Sequence, residues 1–133
     1  MTVSHDKSIK IYDMSFNIIQ IIENAHNGFI YYIDITDDNN FVICSEHDFK
    51  LWQKVNILNK NEFIKNKIID NSHTISITKI LYQSNGDIIS CSRDNSVKIW
   101  KKDENNNYKN KYILYHKNKV YSILLLENKN LLI

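Results

Sequence analysis

Short apolar runs, each bounded by polar residues, follow one another along this chain. Ile88 to Ser92 and Val97 to Trp100 are rich in β-branched and aromatic residues and are bounded by Asn, Asp and Ser, which is typical of strands. Asn85-Gly86 comes just before the first run, and an Asn-Gly pair between two such runs indicates a tight hairpin. Similar runs cover Phe16 to Ile22, Phe63 to Ile69, and Tyr112 to Tyr115. The pattern predicts short antiparallel strands throughout.

A sustained helical period is not found along the chain. The one helical candidate, Asn56 to Ile69, is rich in Asn and is interpreted as a long loop followed by a strand. The predicted fold class is therefore all-β, built from four-stranded antiparallel sheets.

The chain also repeats itself. Three segments align: Ser4-His-Asp-Lys-Ser-Ile-Lys-Ile-Tyr12, Ser45-Glu-His-Asp-Phe-Lys-Leu-Trp52, and Ser92-Arg-Asp-Asn-Ser-Val-Lys-Ile-Trp100. Their final aromatic residues are 40 and 48 residues apart. A second pattern starts at His26, His73 and His116, each followed by apolar residues at offsets of 4, 7 and 9. Such spacing indicates one supersecondary unit repeated about three times.

Composition and charge narrow the classes of function. With 43% hydrophobic and 24% charged residues, the chain is expected to fold and to be soluble. The net charge is +2, the charges are scattered, and Arg93 is the only arginine, so a nucleic-acid surface is not favoured. No apolar run reaches the roughly 18 residues of a membrane span, and no secretory signal is visible. Two cysteines in such a chain predict free thiols and an intracellular location, cytoplasmic or nuclear.

A histidine, a strand, a turn, and then Ser-x-Asp-x-Ser-(Val/Ile)-Lys-Ile-(Trp/Tyr) is similar to the repeat of the WD-repeat β-propeller family. The resemblance covers essentially the whole chain, at the roughly 40 to 45 residues expected of one blade. Units one and three match closely, while in unit two the acid falls on Glu46, or the turn is one residue shorter and His47 or Asp48 takes its place. The Gly that usually precedes the histidine is replaced in each unit, and the closing Trp-Asp pair survives only as Tyr12-Asp13.

The resemblance implies a buried hydrogen-bond network in each blade, made by the histidine, a strand hydroxyl, the turn acid and the aromatic residue. In unit three these are His73, Ser90 (or Ser92), Asp94 and Trp100. The remaining candidates are His26, Trp52 and, for the acid, Glu46 in unit two; Thr2, Asp6 and Tyr12 in unit one; and His116 in the last unit.

Serine, histidine and aspartate together also suggest a hydrolase triad. The set recurs in each repeat, however, and no Gly-x-Ser-x-Gly elbow accompanies it, so a structural network is favoured over catalysis. Cys44 and Cys91 lack metal-ligand spacing and are interpreted as packed core thiols. We therefore expect no enzyme activity, no metal and no cofactor.

With catalysis and metal binding not expected, the remaining candidate site is a surface that binds a partner. The resemblance implies a rim, formed by the segment that enters each histidine-led strand and by the turn after each second strand. Its candidate partner-binding residues are Phe29, Arg93, His5, His47, Glu46 and Lys119. Phe29 and Arg93 belong to the types found most often at interface hot spots, although ordinary packing is an alternative for each.

Repeat boundaries are predicted near 1–25, 26–72, 73–115 and 116–133 of one partial propeller, with both ends inside a strand. Since a ring needs about four to eight blades, the chain is expected to be a fragment of a larger WD-repeat protein or a half-propeller that self-associates. The predicted function is a non-enzymatic scaffold or adaptor for protein or peptide partners. The alternative is a nucleic-acid- or chromatin-associated propeller subunit.

Overall fold

A computed structural model describes residues 1–36, 40–57, 60–126 and 131–133. Their secondary structure consists of strands, turns and bends. The strands, in chain order, are β1 (Thr2–Val3), β2 (Ile9–Tyr12), β3 (Ile18–Ile22), β4 (Tyr32–Ile35), β5 (Phe41–Cys44), β6 (Phe49–Ile57), β7 (Lys60–Ile69), β8 (Ile77–Tyr82), β9 (Ile88–Ser92), β10 (Ser96–Lys102), β11 (Tyr108–Tyr115), β12 (Leu124–Leu125) and β13 (Leu131–Leu132). Within these ranges, no helix is long and apolar enough to cross a membrane.

The strands form four antiparallel sheets in which chain neighbours are always paired. Sheet one is β1-β2-β3, sheet two is β4-β5-β6-β7, sheet three is β8-β9-β10-β11, and sheet four is β12-β13. The sheets follow one another as an arc that does not close. The predicted all-β class and its four-stranded antiparallel sheets are thus confirmed.

Register shows that the repeats are structurally equivalent. Ser90 pairs with Lys98 across β9 and β10, and Ile43 pairs with Lys50 across β5 and β6. Thr2 likewise pairs with Lys10 across β1 and β2. The second and third strands of sheets two and three therefore correspond to β1 and β2 of sheet one.

Three apolar clusters hold the sheets against each other. The first lies between sheets one and two and includes Ile9, Phe41 and Trp52. The second lies between sheets two and three and includes Phe49 and Trp100. The third packs Ile89, Cys91 and Val97 of sheet three against Val120 and Ile123, which precede and enter sheet four. Burial of these faces supplies the main force that keeps neighbouring sheets together.

Turn residues fit the local geometry. Gly86 has a φ of 88°, and its N–H donates to the carbonyl of Gln83, which closes the hairpin predicted from Asn85-Gly86. Asn24 and Asn71, each two residues before a repeat histidine, both have a φ of 51°. Asparagine tolerates this left-handed region better than most residues do.

One predicted feature is wrong. The segment from Asn56 to Ile69 was expected to hold a long loop, but β6 extends to Ile57 and β7 begins at Lys60, with Asn56 paired to Asn61. Together they form the longest hairpin of the described chain, and its residue Phe63 packs against the cluster between sheets one and two. Its exposed side chains are mostly polar, which explains why the sequence resembles a loop.

Backbone bonds also join successive sheets. Ala25 N–H donates to the carbonyl of Lys7, His73 N–H to that of His47, and His116 N–H to that of Asn95. In each case the turn after a second strand accepts a bond from the residue that enters the next repeat. The rim residues are therefore all at one end of the sheets.

Candidate functional site

In sheet three the polar residues form a continuous hydrogen-bond chain. Trp100 Nε1 donates to Ser90 Oγ at 2.9 Å, and Ser90 Oγ lies 2.7 Å from His73 Nε2. His73 Nδ1 lies 2.9 Å from Asp94 Oδ2. Because an ionised carboxylate can only accept, a neutral imidazole must donate from Nδ1 to Asp94, which leaves Nε2 as an acceptor for the hydroxyl of Ser90.

Burial and charge are matched in this network. His73 is 2% exposed, and burial lowers the pKa of its imidazole even though Asp94 opposes the shift. Burial raises the pKa of Asp94, but hydrogen bonds from Ser96 and His73 outweigh it and bring the value to about 2. The stable arrangement is thus a neutral imidazole beside an ionised carboxylate.

Ser96 is a member of this network that the sequence-based set did not include. Its Oγ donates to Asp94 Oδ1 at 2.6 Å and lies 3.2 Å from His73 Nδ1. The same Asp-x-Ser contact occurs in sheet one, where Ser8 Oγ donates to Asp6 Oδ1 at 2.6 Å. The repeated Asp-x-Ser pair in the sequence was the signal that could have identified it.

Sheet two has the same frame without the bridging hydroxyl. Ile43 stands at the position of Ser90, and His26 Nε2 and Trp52 Nε1 have no hydrogen-bond partner among the described residues. The N–H of Asn27 donates to His26 Nδ1 at 3.1 Å, whereas the equivalent N–H of Thr74 donates to Asp94. The neutral His26 ring must therefore carry its proton on Nε2, the opposite tautomer from His73.

The acid of sheet two is displaced as well. Measured between equivalent paired residues, its turn is one residue shorter than that of sheet three, since Ile43 pairs with Lys50 and Ser90 with Lys98. Asp48 is the acid near the histidine, with Oδ1 at 3.4 Å from His26 Nε2. Glu46 and His47 are exposed at the rim. Burial, together with repulsion from Lys50, lowers the pKa of His26 to about 4.

The structure does not join the candidates of the other repeats into networks. Thr2 and Asp6 are exposed, Tyr12 is half-buried, and no hydrogen bond links the three in the described part of the chain. His116 has an exposed side chain. Each of these sheets lacks one or more of the strands that would enclose such a network.

At the rim, two exposed aromatic groups pair with basic side chains. The His5 ring stacks on Phe29 with centroids 4.9 Å apart and meets Tyr31 edge-on at 5.5 Å. The guanidinium of Arg93 lies 5.8 Å from the centre of the Tyr121 ring. Phe29 is 45% exposed, although apolar side chains of this size are usually buried. Lys119 is also exposed, in the segment that leads to β12.

Reactive groups are poorly placed for chemistry. Ser90 is fully buried and accepts the indole N–H, so its hydroxyl has no open approach for a substrate. Cys44 and Cys91 are free and fully buried, and burial raises the pKa of both thiols. Across residues 1–36, 40–57, 60–126 and 131–133, no three His, Cys, Asp or Glu side chains group as metal ligands would.

Comparison with known proteins agrees with these observations. The family model described as "WD domain, G-beta repeat" matches residues 66–101. Among solved structures, the chain is similar to the WD40 β-propeller domain of Doa1, with a TM-score of 0.76 and 25% identity over 97% of this chain. The chain spans 40% of the length of that structure. No curated protein sequence matches it.

Sheets two and three thus have the strand order of propeller blades, and sheet three carries the complete polar network at the position where the family model matches. Residues 66–101 thus match one WD repeat, and the chain has the fold of part of a WD40 β-propeller.

Proposed function

We propose that this chain is a section of a non-enzymatic scaffold or adaptor protein that binds protein or peptide partners through its rim. WD40 propellers commonly mediate protein–protein interactions. The observation that carries the proposal is the exposed cluster of His5, Phe29 and Tyr31, in contrast to the closed network of sheet three. Exposed aromatic residues beside basic ones are the anchors that protein interfaces use most.

The outer sheets support the further proposal that more blades complete the ring. In sheet one, Ile18, Ile19 and Ile21 of β3 are about half exposed. In sheet three, the edge strand β11 exposes Tyr112 to Tyr115. Apolar surface and strand edges of this kind are normally covered. Further blades of a longer chain are one source of cover, and a second copy of this chain is the other.

The mass in solution distinguishes these sources. Size-exclusion chromatography with light scattering, read beside a far-UV spectrum, gives a folded β dimer near twice 15.8 kDa if two copies close a ring. An aggregating chain indicates that blades are missing. A folded, stable monomer would contradict both forms of the proposal.

Partner binding is tested with Phe29→Ala and Arg93→Ala, and Glu104→Ala is the matched control on the turn at the opposite end of sheet three. Proteins retained from an extract are quantified for each variant. We expect each rim variant to bind its specific partners with about tenfold lower affinity. This corresponds to a loss of about 1.4 kcal/mol of binding free energy at an interface hot spot. The same proteins retained equally by all four chains would contradict the proposal. Retention on heparin that falls steeply with salt would instead favour a nucleic-acid role.

The proposal also includes the cellular compartment in which the chain functions. Both cysteines are free and buried, which supports a reducing, intracellular compartment as part of the proposal.

A further inference from the structure

An open pocket lies at the rim end of sheet two, with a volume of about 390 Å³. Asn27 and Gly28 form one side of it, on the segment that enters β4. Ser45, Glu46 and Asp48 form a second side, on the turn between β5 and β6, and Asp70 follows the end of β7. Three separate segments of one sheet therefore converge on this space.

Its charge is negative. Glu46, Asp48 and Asp70 bring three carboxylates, and His47 lines the same space. The side chain of Lys50 is buried nearby, with its Nζ 3.5 Å from Asn27 Oδ1. Burial raises the pKa of Asp48, Lys50 opposes this shift, and the neighbouring charge of Asp70 adds to it. A cation placed between these carboxylates would relieve their mutual repulsion.

Ser45 gives a second and independent indication of a ligand. It is 1% exposed, it lines the pocket, and its Oγ has no hydrogen-bond partner within the described ranges. The equivalent Ser92 Oγ in sheet three donates to the carbonyl of Ile75 at 2.9 Å and accepts from the N–H of Asp94 at 3.0 Å. A buried hydroxyl without a partner costs about 1 to 3 kcal/mol, so its retention points to a group that binds there.

Gly28 leaves room for this hydroxyl beside its backbone. A Cβ on Gly28 would lie 2.5 Å from Ser45 Oγ and 3.7 Å from Glu46 Oε2. Glycine occurs where another group must approach the backbone closely. Ile75 occupies the corresponding position in sheet three, where the hydroxyl is already satisfied.

We propose that this pocket binds the cationic side chain of a partner protein, a lysine or an arginine, between Ser45 Oγ and the carboxylates of Glu46, Asp48 and Asp70. This inference rests on the proposed function, since it assigns a partner group to one part of the rim. An ammonium or guanidinium group supplies only donors, and the pocket offers three carboxylates together with a hydroxyl oxygen that can accept. Hydrogen bonds between charged groups are the strong ones, which suits a small site on an exposed rim.

Nuclear magnetic resonance titration of the folded chain tests the site directly. The probes are Nα-acetyl-lysine methylamide and Nα-acetyl-arginine methylamide, with the uncharged Nα-acetyl-norleucine methylamide as control. We expect saturable shifts of the backbone amides of Gly28, Ser45 and Glu46 with one or both cationic probes. The uncharged probe is expected to leave these amides unchanged.

Substitutions of single pocket residues measure how much each one contributes to binding of the probe. Glu46 and Asp70 are exposed, so Glu46→Gln and Asp70→Asn keep shape and fold while each removes one charge. Each is expected to lower the affinity of the chain for the cationic probe about fivefold to tenfold. The control Glu104→Gln is expected to leave that affinity unchanged. Gly28→Ala places a methyl group in the pocket and should abolish the shifts.

Three results would overturn the inference: equal shifts with the uncharged probe, unchanged affinity in Glu46→Gln, or the same shifts from calcium chloride at the same concentration. The last result would indicate an acidic surface that attracts any cation. This titration uses no partner protein. If Phe29→Ala captures partners as well as the unchanged chain does, the proposed function is rejected, and a successful titration then shows only that the pocket binds cations. If the titration fails, the pocket is rejected and the proposed function is unaffected.

Discussion

Sheets two and three share strand order, register and a buried tryptophan, yet only sheet three joins its polar groups into one chain. Ser90 is in contact with both His73 and Trp100 in sheet three. Ile43 at the equivalent place leaves His26 Nε2 and Trp52 Nε1 without partners in the described structure. One hydroxyl decides whether two other buried groups are satisfied.

Packing compensates for the missing bonds in sheet two. Trp52 stacks on Phe41 with centroids 5.9 Å apart, and Phe41 also contacts Phe63 at 5.0 Å. Ile43 itself is fully buried in the same cluster. The comparison shows that a blade keeps its strand order and register without the polar side-chain network.

The largest expected effect is that of Trp100→Ala. It removes a buried indole and its bond to Ser90, and we expect it to destabilise the chain by about 3 to 5 kcal/mol. Trp52→Ala is expected to cost less, because it also removes a buried N–H that has no partner in the described structure. Denaturant unfolding of both variants measures which of them loses more free energy of unfolding. Unchanged unfolding in Trp100→Ala would reject the assigned register.

Acid is expected to weaken sheet two first. The pKa of His26 is about 4 in the fold and 6.5 in the unfolded chain, so between these values the unfolded state binds more protons and stability falls as pH falls. The full effect is roughly 3 kcal/mol, since each unit of pKa is worth about 1.4 kcal/mol. Unfolding free energies at pH 7, 5.5 and 4 should therefore decrease, and His26→Gln should flatten the decrease.

The carboxylate of sheet three responds at lower pH. The pKa of Asp94 is about 2 in the fold against an ordinary 3.8, so its contribution is complete above 3.8 and disappears as pH falls toward 2. His73 also has a lowered pKa and contributes in the same direction as His26. If His26→Gln left the dependence of the unfolding free energy on pH between 6.5 and 4 unchanged, the assignment of that dependence to His26 would be wrong.

The smallest effect isolates the hydrogen bond. Trp100→Phe and Trp52→Phe remove the same volume from equivalent positions, but only Trp100→Phe breaks a bond. We expect Trp100→Phe to cost about 1 kcal/mol more. Equal costs in paired unfolding experiments would show that the Trp100–Ser90 bond adds no net stability.

Much of this fold could be predicted from local chemistry. The strand Ile88–Ser92 and the hairpin at Asn85-Gly86 follow from residues whose local preference agrees with the fold. The contacts of His73 with Asp94 and Ser90 were predicted from the family resemblance, which left Ser92 as the alternative to Ser90.

Sheet two could be predicted less well, for physical reasons. An apolar Ile43 in a strand is unremarkable locally, and its cost appears only when His26 and Trp52 are brought around it. The long hairpin of β6 and β7 has polar side chains on its exposed part, so its strands are specified by pairing rather than by hydrophobic alternation. The pocket beside Gly28 could not be predicted from the sequence either, because three separate segments form it only in their folded positions.

The backbone bonds between successive sheets bear on how the chain is made. The carbonyls of Lys7, His47 and Asn95 belong to turns that leave the ribosome well before the N–H groups of Ala25, His73 and His116 that bind them. Each sheet can thus serve as the template on which the next one docks during synthesis, in the order of translation. A halt in synthesis would expose only the last template, and a chaperone would need to shield one face at a time.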